Sequence, residues 1–130
     1  MTDPTHSGSC LCGSVRFTVT GTLKAPDACH CSQCRRVSGH VWASTDVPDD
    51  RLVITGEGQV RWFRSSDAVK RGFCDTCGSA LFWKPIDQPR TAVAMGAFDA
   101  PTHMHLEMHI FVDDKGDYYD IADGLPQQGQ

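Results

Sequence analysis

Val15, Phe17 and Val19 alternate with Arg16, Thr18 and Thr20, the period-two pattern of a strand with one face buried. Residues 51–55 and 59–64 are apolar-rich, and Gly56-Glu57-Gly58 between them suits a three-residue hairpin connection. Residues 69–73, 80–84 and 91–95 read as further strands, with Pro85, Pro89 and Pro101 punctuating the loops. The most regular alternation comes late. Met104, Leu106, Met108, Ile110 and Val112 share one face of a predicted strand, and His103, His105, Glu107, His109 and Phe111 share the other. Asp113-Asp114-Lys115-Gly116-Asp117 then reads as an exposed turn, and residues 124–130 as a loose tail. One short helical turn is expected over residues 32–37, capped by Ser32. The pattern predicts a mainly β protein of antiparallel sheets with little helix.

Composition narrows this picture. At 130 residues the chain is the size of one domain. An apolar share of 40% and a charged share of 22% exclude disordered, collagen-like and coiled-coil classes. The formal net charge of −4 opposes binding to nucleic acid or to an anionic membrane. No apolar run approaches the ~20 residues of a membrane-spanning helix. The first eight residues carry neither a basic patch nor an apolar stretch, so no secretory signal is read there. The expected location is cytoplasmic, where thiols stay reduced and clustered cysteines favour metal over disulfides.

That matters because the seven cysteines fall into tight groups: Cys10-x-Cys12, Cys29-x-Cys31-x-x-Cys34 and Cys74-x-x-Cys77. The first and last pairs are each followed by glycine, and together they supply the four thiolates of a tetrahedral structural zinc. A redox Cys74/Cys77 pair and inert buried thiols are the other readings of these residues. The middle group supplies three ligands and leaves one position for water or a substrate. In an extended Cys29-His30-Cys31 segment the two sulfurs point the same way and His30 points away, and a turn at Ser32-Gln33 returns Cys34 toward them. Three thiolates on a divalent ion leave a net charge of −1, which the adjoining helix start and Arg35-Arg36 would offset in part. An exogenous thiol is a well-matched fourth donor for such a site. The alternative is a closed site in which a histidine completes the set. His30 is poorly placed for that, whereas His40 follows the Ser38-Gly39 turn. His40 and His109 are the remaining candidates for catalytic side chains. Trp42, Trp62 and Trp83 read as core or pocket wall rather than as a stacking platform for bases.

Taken in order, Gly8-Ser9-Cys10-Leu11-Cys12-Gly13-Ser14-Val15, Cys29-His30-Cys31-Ser32-Gln33-Cys34-Arg35, Ser38-Gly39, Phe73-Cys74-Asp75-Thr76-Cys77-Gly78, His109-Ile110 and Asp123-Gly124-Leu125-Pro126 resemble the glutathione-dependent formaldehyde-activating enzyme family, which includes centromere protein V-like members. The resemblance implies a β-tent-like fold and a single zinc domain over residues 8–126, between a flexible N-terminus (1–7) and a flexible tail (127–130). It further implies two zinc ions, one structural on Cys10, Cys12, Cys74 and Cys77, and one catalytic on Cys29, Cys31 and Cys34. The implied activity is that of a carbon–sulfur lyase, written in the forward direction as the joining of glutathione and formaldehyde to give S-hydroxymethylglutathione. The implied partners are thus a small thiol and a small aldehyde. Tyr118-Tyr119 stands where many relatives carry Pro-Trp, so the wall near it is expected to differ. A non-catalytic zinc-binding interaction module is the competing reading of the same motifs.

Overall fold

The computed structural model describes residues 3–130; Met1 and Thr2, the outer end of the expected flexible N-terminus, lie outside the described residues. Two sheets carry the architecture. In the smaller, β1 (Thr5–Ser9), β2 (Arg16–Thr20) and β5 (Leu52–Thr55) lie antiparallel in the order β1-β2-β5. The larger is built from β3 (Asp27–Cys29), β4 (Trp42–Pro48), β6 (Val60–Arg64), β7 (Val69–Cys74), β8 (Ala80–Pro85), β9 (Arg90–Ala94) and β10 (Met108–Ile110). These seven strands run in the order β10-β3-β4-β9-β8-β7-β6. All its pairings are antiparallel except that of β10 with β3. One α-helix, α1 (Ser32–Ser38), follows β3.

Alternation along the strands decides what each face does. Val47 of β4 and Val93 of β9 turn to one side and pack with Phe17 and Val19 of β2 in the main core. The Phe17 ring meets Phe82 and Phe98 edge-on, with centroids 6.0 and 5.1 Å away. The neighbouring positions Trp42, Ser44 and Asp46 of β4, with Arg90 and Ala92 of β9, turn to the opposite side of the sheet and line a cavity there. One side of the large sheet is therefore core, and the other is available for chemistry.

Several expectations need correction. Residues 5–7 are not loose but form most of β1, whose Thr5 and Ser7 register with Thr20 and Thr18. The predicted hairpin over residues 51–64 does not form, because β5 pairs with β2 while β6 pairs with β7 in the other sheet. Gly56 makes that crossing possible: its φ is 82°, and a Cβ there would collide with the Ser14 carbonyl oxygen. The long late strand shrinks to Met108–Ile110, since His103 (φ 58°) and Phe111 (φ 56°) take left-handed conformations that break the extended run. The tail is tied down as well. Gln128 N–H donates to the His109 carbonyl (2.9 Å) and Val112 N–H to the Gln128 carbonyl (3.0 Å).

Candidate functional site

Cys10 and Cys12 sit in the turn between β1 and β2, Cys74 ends β7, and Cys77 lies in the turn before β8. Although 62 residues separate Cys12 from Cys74, the four sulfurs lie within 4.8 Å of one another. The Cys10–Cys12 and Cys12–Cys74 sulfur separations are 3.6 and 3.8 Å. A tetrahedral site with zinc–sulfur bonds near 2.3 Å has S···S edges of about 3.8 Å, so this donor set fits a metal ion of that kind. Backbone and hydroxyl groups brace it: Val15 N–H donates to the Cys10 sulfur at 3.3 Å, and the Ser14 and Ser79 hydroxyls lie 3.2 Å from Cys12 and Cys77. The Ser79 hydroxyl, with the backbone amide of Cys12, holds the Cys77 thiol down to about 5.

The second group is made from one local segment. Cys29 ends β3, Cys31 is the residue just before α1, and Cys34 is the buried residue of that helix. Their sulfurs also lie within 4.8 Å of one another, as the extended Cys29-His30-Cys31 spacing predicts. Ser32 is not the helix cap; the Cys31 sulfur takes that place, accepting from the Cys34 N–H at 3.3 Å. At the other end Gly39 (φ 83°) stops the helix in a left-handed turn.

While Cys10 of the four-cysteine group borders a separate cavity of about 550 Å³, this group opens onto a cavity of about 450 Å³ walled by Trp42 and Trp83. Asp27, two positions before Cys29 on β3, also faces it, as do Arg71 of β7, Asp46 and Arg90. Arg90 pairs with Asp46, its Nη1 donating to both carboxylate oxygens at 2.8 Å. Burial, with Asp46 nearby, holds the Asp27 carboxyl above its ordinary range. Arg71 has no carboxylate partner among the described residues. Its two terminal nitrogens instead lie 3.7 Å from the Cys34 sulfur, and it is only 6% exposed. A hydrogen bond from Cys29 draws the Cys34 thiol down to about 6 against the opposing effect of burial, and Arg71 adds to it, while the same hydrogen bond and burial push Cys29 up. Sequence reasoning gave this electrostatic role to Arg35-Arg36 and missed Arg71. The available signal was a charged residue at an otherwise inward-facing position of the strand leading to Cys74.

The model of the glutathione-dependent formaldehyde-activating enzyme family matches residues 5–114. The chain belongs to that family. Among curated relatives, a Halomonas elongata protein named "Putative glutathione-dependent formaldehyde-activating enzyme" is 27% identical over 88% of this chain and 79% of its own length. A Schizosaccharomyces pombe protein described as an uncharacterized lyase is 23% identical over 92% of this chain and 87% of its own. A crystal structure of a Rhodobacter sphaeroides protein shares the fold, with a TM-score of 0.61 and 24% identity, covering 73% of this chain and 89% of that one. Family membership, one relative named for the family's enzyme, another named a lyase, and two cysteine groups able to hold metal thus agree.

In this member of the family the histidines divide by position. His30, between two of the cysteines, turns away from their sulfurs and is 2% exposed. Its Nε2 lies 2.8 Å from His109 Nδ1, and His109 Nε2 lies 2.7 Å from Asp123 Oδ2. The His30 Nδ1 meets the Tyr119 hydroxyl. With Asp123 accepting and both rings neutral, the direction of every bond follows: His109 donates to Asp123, His30 to His109, and Tyr119 to His30. Burial and the neighbouring His109 hold His30 below its usual range, in keeping with a neutral ring. His109 is thus part of a brace behind the cysteines; it does not line the cavity. His40 bonds the Tyr118 hydroxyl at 2.6 Å and is exposed. Among the described residues no histidine joins either cysteine group, and His103 and His105 are exposed. Trp42 and Trp83 are pocket wall as expected, while Trp62 is 37% exposed on edge strand β6.

Proposed function

We propose that this chain is a zinc-dependent carbon–sulfur lyase that joins a small thiol, glutathione in the first instance, to formaldehyde or a related small aldehyde. The observation that carries this reading is the contrast in donor number: four sulfurs make a full tetrahedral set, whereas three gather beside a cavity of about 450 Å³ with no fourth ligand among the described residues. In this reading Cys10, Cys12, Cys74 and Cys77 hold a structural zinc, and Cys29, Cys31 and Cys34 hold the second ion. That second zinc, when bound, supplies a position at which a thiol is held as thiolate at neutral pH.

The chain's own residues do the rest. Trp42 and Trp83 present apolar walls that limit water around the reacting carbon. The Asp123–His109–His30 brace fixes the segment that carries Cys29 and Cys31, and His30 N–H also donates to the Ile110 carbonyl at 3.0 Å. Neither His40 nor His109 is placed to act on a substrate in the cavity. Among the described residues no helix is long and apolar enough to cross a membrane.

The test is a glutathione titration of protein loaded with cobalt at both sites. Perturbation of the three-cysteine spectrum alone, with S-hydroxymethylglutathione forming from formaldehyde faster than in buffer, is the expected result. A spectrum unmoved by saturating glutathione removes thiol binding from the account.

A further inference from the structure

We propose that Arg71 makes the three-cysteine site selective for an anionic donor over a neutral one. This rests on the metal-binding reading of that site. The starting point is an unusual guanidinium. Arg71 is 6% exposed, lies on β7 far in sequence from the cysteines it faces, and has no carboxylate partner among the described residues. A buried cation without a counter-ion is costly, so its compensating charge must lie close by. The two nearby cavity carboxylates do not provide it. Asp46 is held by Arg90, and Asp27 forms no ion pair among the described residues.

What Arg71 does face is sulfur. Both terminal nitrogens lie 3.7 Å from Cys34 Sγ, one of them also reaches the Gln33 side-chain oxygen at 3.4 Å, and the buried Nε has no partner. Three thiolates around a divalent ion carry one net negative charge, and Arg71 brings the local sum to zero. A neutral fourth donor leaves that sum unchanged with or without Arg71. A thiolate adds one negative charge, arriving at a neutral centre when Arg71 is present and at an anionic one when it is not. Arg71 therefore acts on the choice of ligand. It is a specificity-determining residue, and its effect falls on anionic donors alone.

The experiment compares two ligands on protein with both sites metal-loaded, metal content being measured for each variant. Glutathione serves as the anionic donor and imidazole as the neutral one, with affinities from calorimetry and from cobalt–sulfur charge-transfer absorption. In Arg71→Met and Arg71→Gln, glutathione is expected to bind on the order of tenfold to a hundredfold more weakly, while imidazole affinity stays within about twofold. Arg71→Lys, which keeps the charge, should recover most of the glutathione preference. Equal weakening of both ligands, or unchanged glutathione binding in both neutral variants, overturns the inference. Loss of the three-cysteine metal from both neutral variants also overturns it, because Arg71 would then serve to retain the ion. Wild-type protein with both metals that binds no glutathione instead overturns the underlying reading.

Discussion

On the proposed reading, the two cysteine groups use the same ligand chemistry for opposite ends. One gathers four sulfurs from turns belonging to different sheets, separated by 62 residues between Cys12 and Cys74. The other takes three from a single stretch of β3 and α1 and borders a cavity. Closing a long loop gives a metal most of its leverage on stability, because the unfolded chain loses the most freedom there. A site made by one short segment has little such leverage, and it is free to leave a coordination position for a ligand. On the proposed reading, separation in sequence and the number of sulfurs, rather than ligand type, divide staple from reaction centre.

Cysteine substitutions put the greatest pressure on that division. Cys74→Ser is expected to cost roughly 5 kcal/mol or more, comparable with the whole stability of a domain this size, and to abolish the cooperative thermal transition. Cys34→Ser should cost less than about 2 kcal/mol yet eliminate glutathione binding. Circular dichroism melts of the two proteins check the stability costs and calorimetry checks the lost binding; equal melting temperatures would collapse the distinction.

Graded chelation probes the same contrast more gently. The three-cysteine metal should leave first, with the melting temperature falling by only about 2–4 °C, followed by a second loss that coincides with unfolding. Metal analysis alongside the melt reads this directly, and simultaneous release of both ions argues against it. Further out, His109→Ala is expected to weaken metal binding at the three-cysteine site by about 10- to 100-fold and leave the other unaffected. Competition against a chelating dye measures it.

The smallest effect concerns Asp27. Its folded-state pKa is raised, by burial first, so the ionised carboxylate opposes folding at neutral pH. That penalty is fully felt above the folded pKa and disappears as pH falls through it and below the unfolded value. Asp27→Asn should therefore raise the melting temperature by a degree or two at pH 7, with the difference from wild type narrowing on acidification. A constant difference across pH would show that the carboxyl's ionisation does not matter.

Cysteine spacing was readable because ligand geometry acts over two to four residues, the same scale as the motif. Strands such as Arg16–Thr20 and Val69–Cys74 were readable for a similar reason, since their alternation is local. Partnership was not. Nothing in residues 51–64 says that Leu52–Thr55 pairs with β2 and Val60–Arg64 with β7, because the decision rests on the fit of Gly56 against Ser14. The late alternation misled because two non-glycine residues, His103 and Phe111, adopt positive φ under tertiary constraint. A thiol cap at Cys31 competes with a hydroxyl neighbour of stronger average preference, so Ser32 was the natural expectation. Arg71 was hidden because its significance depends on a sulfur 37 residues away.

The Asp123–His109–His30–Tyr119 brace has a consequence for synthesis. A ribosome completes Cys29, Cys31 and Cys34 early, but His109 emerges 79 residues after the His30 it braces. At about 5–20 residues per second that delay is roughly 4–16 s, during which a nascent chain exposes three close thiols without their support. Cys77 arrives well before His109, so the four-cysteine site can be complete while the other is still unbraced. On the proposed reading, the order of translation would let the four-cysteine site take up its metal before the three-cysteine site gains its brace.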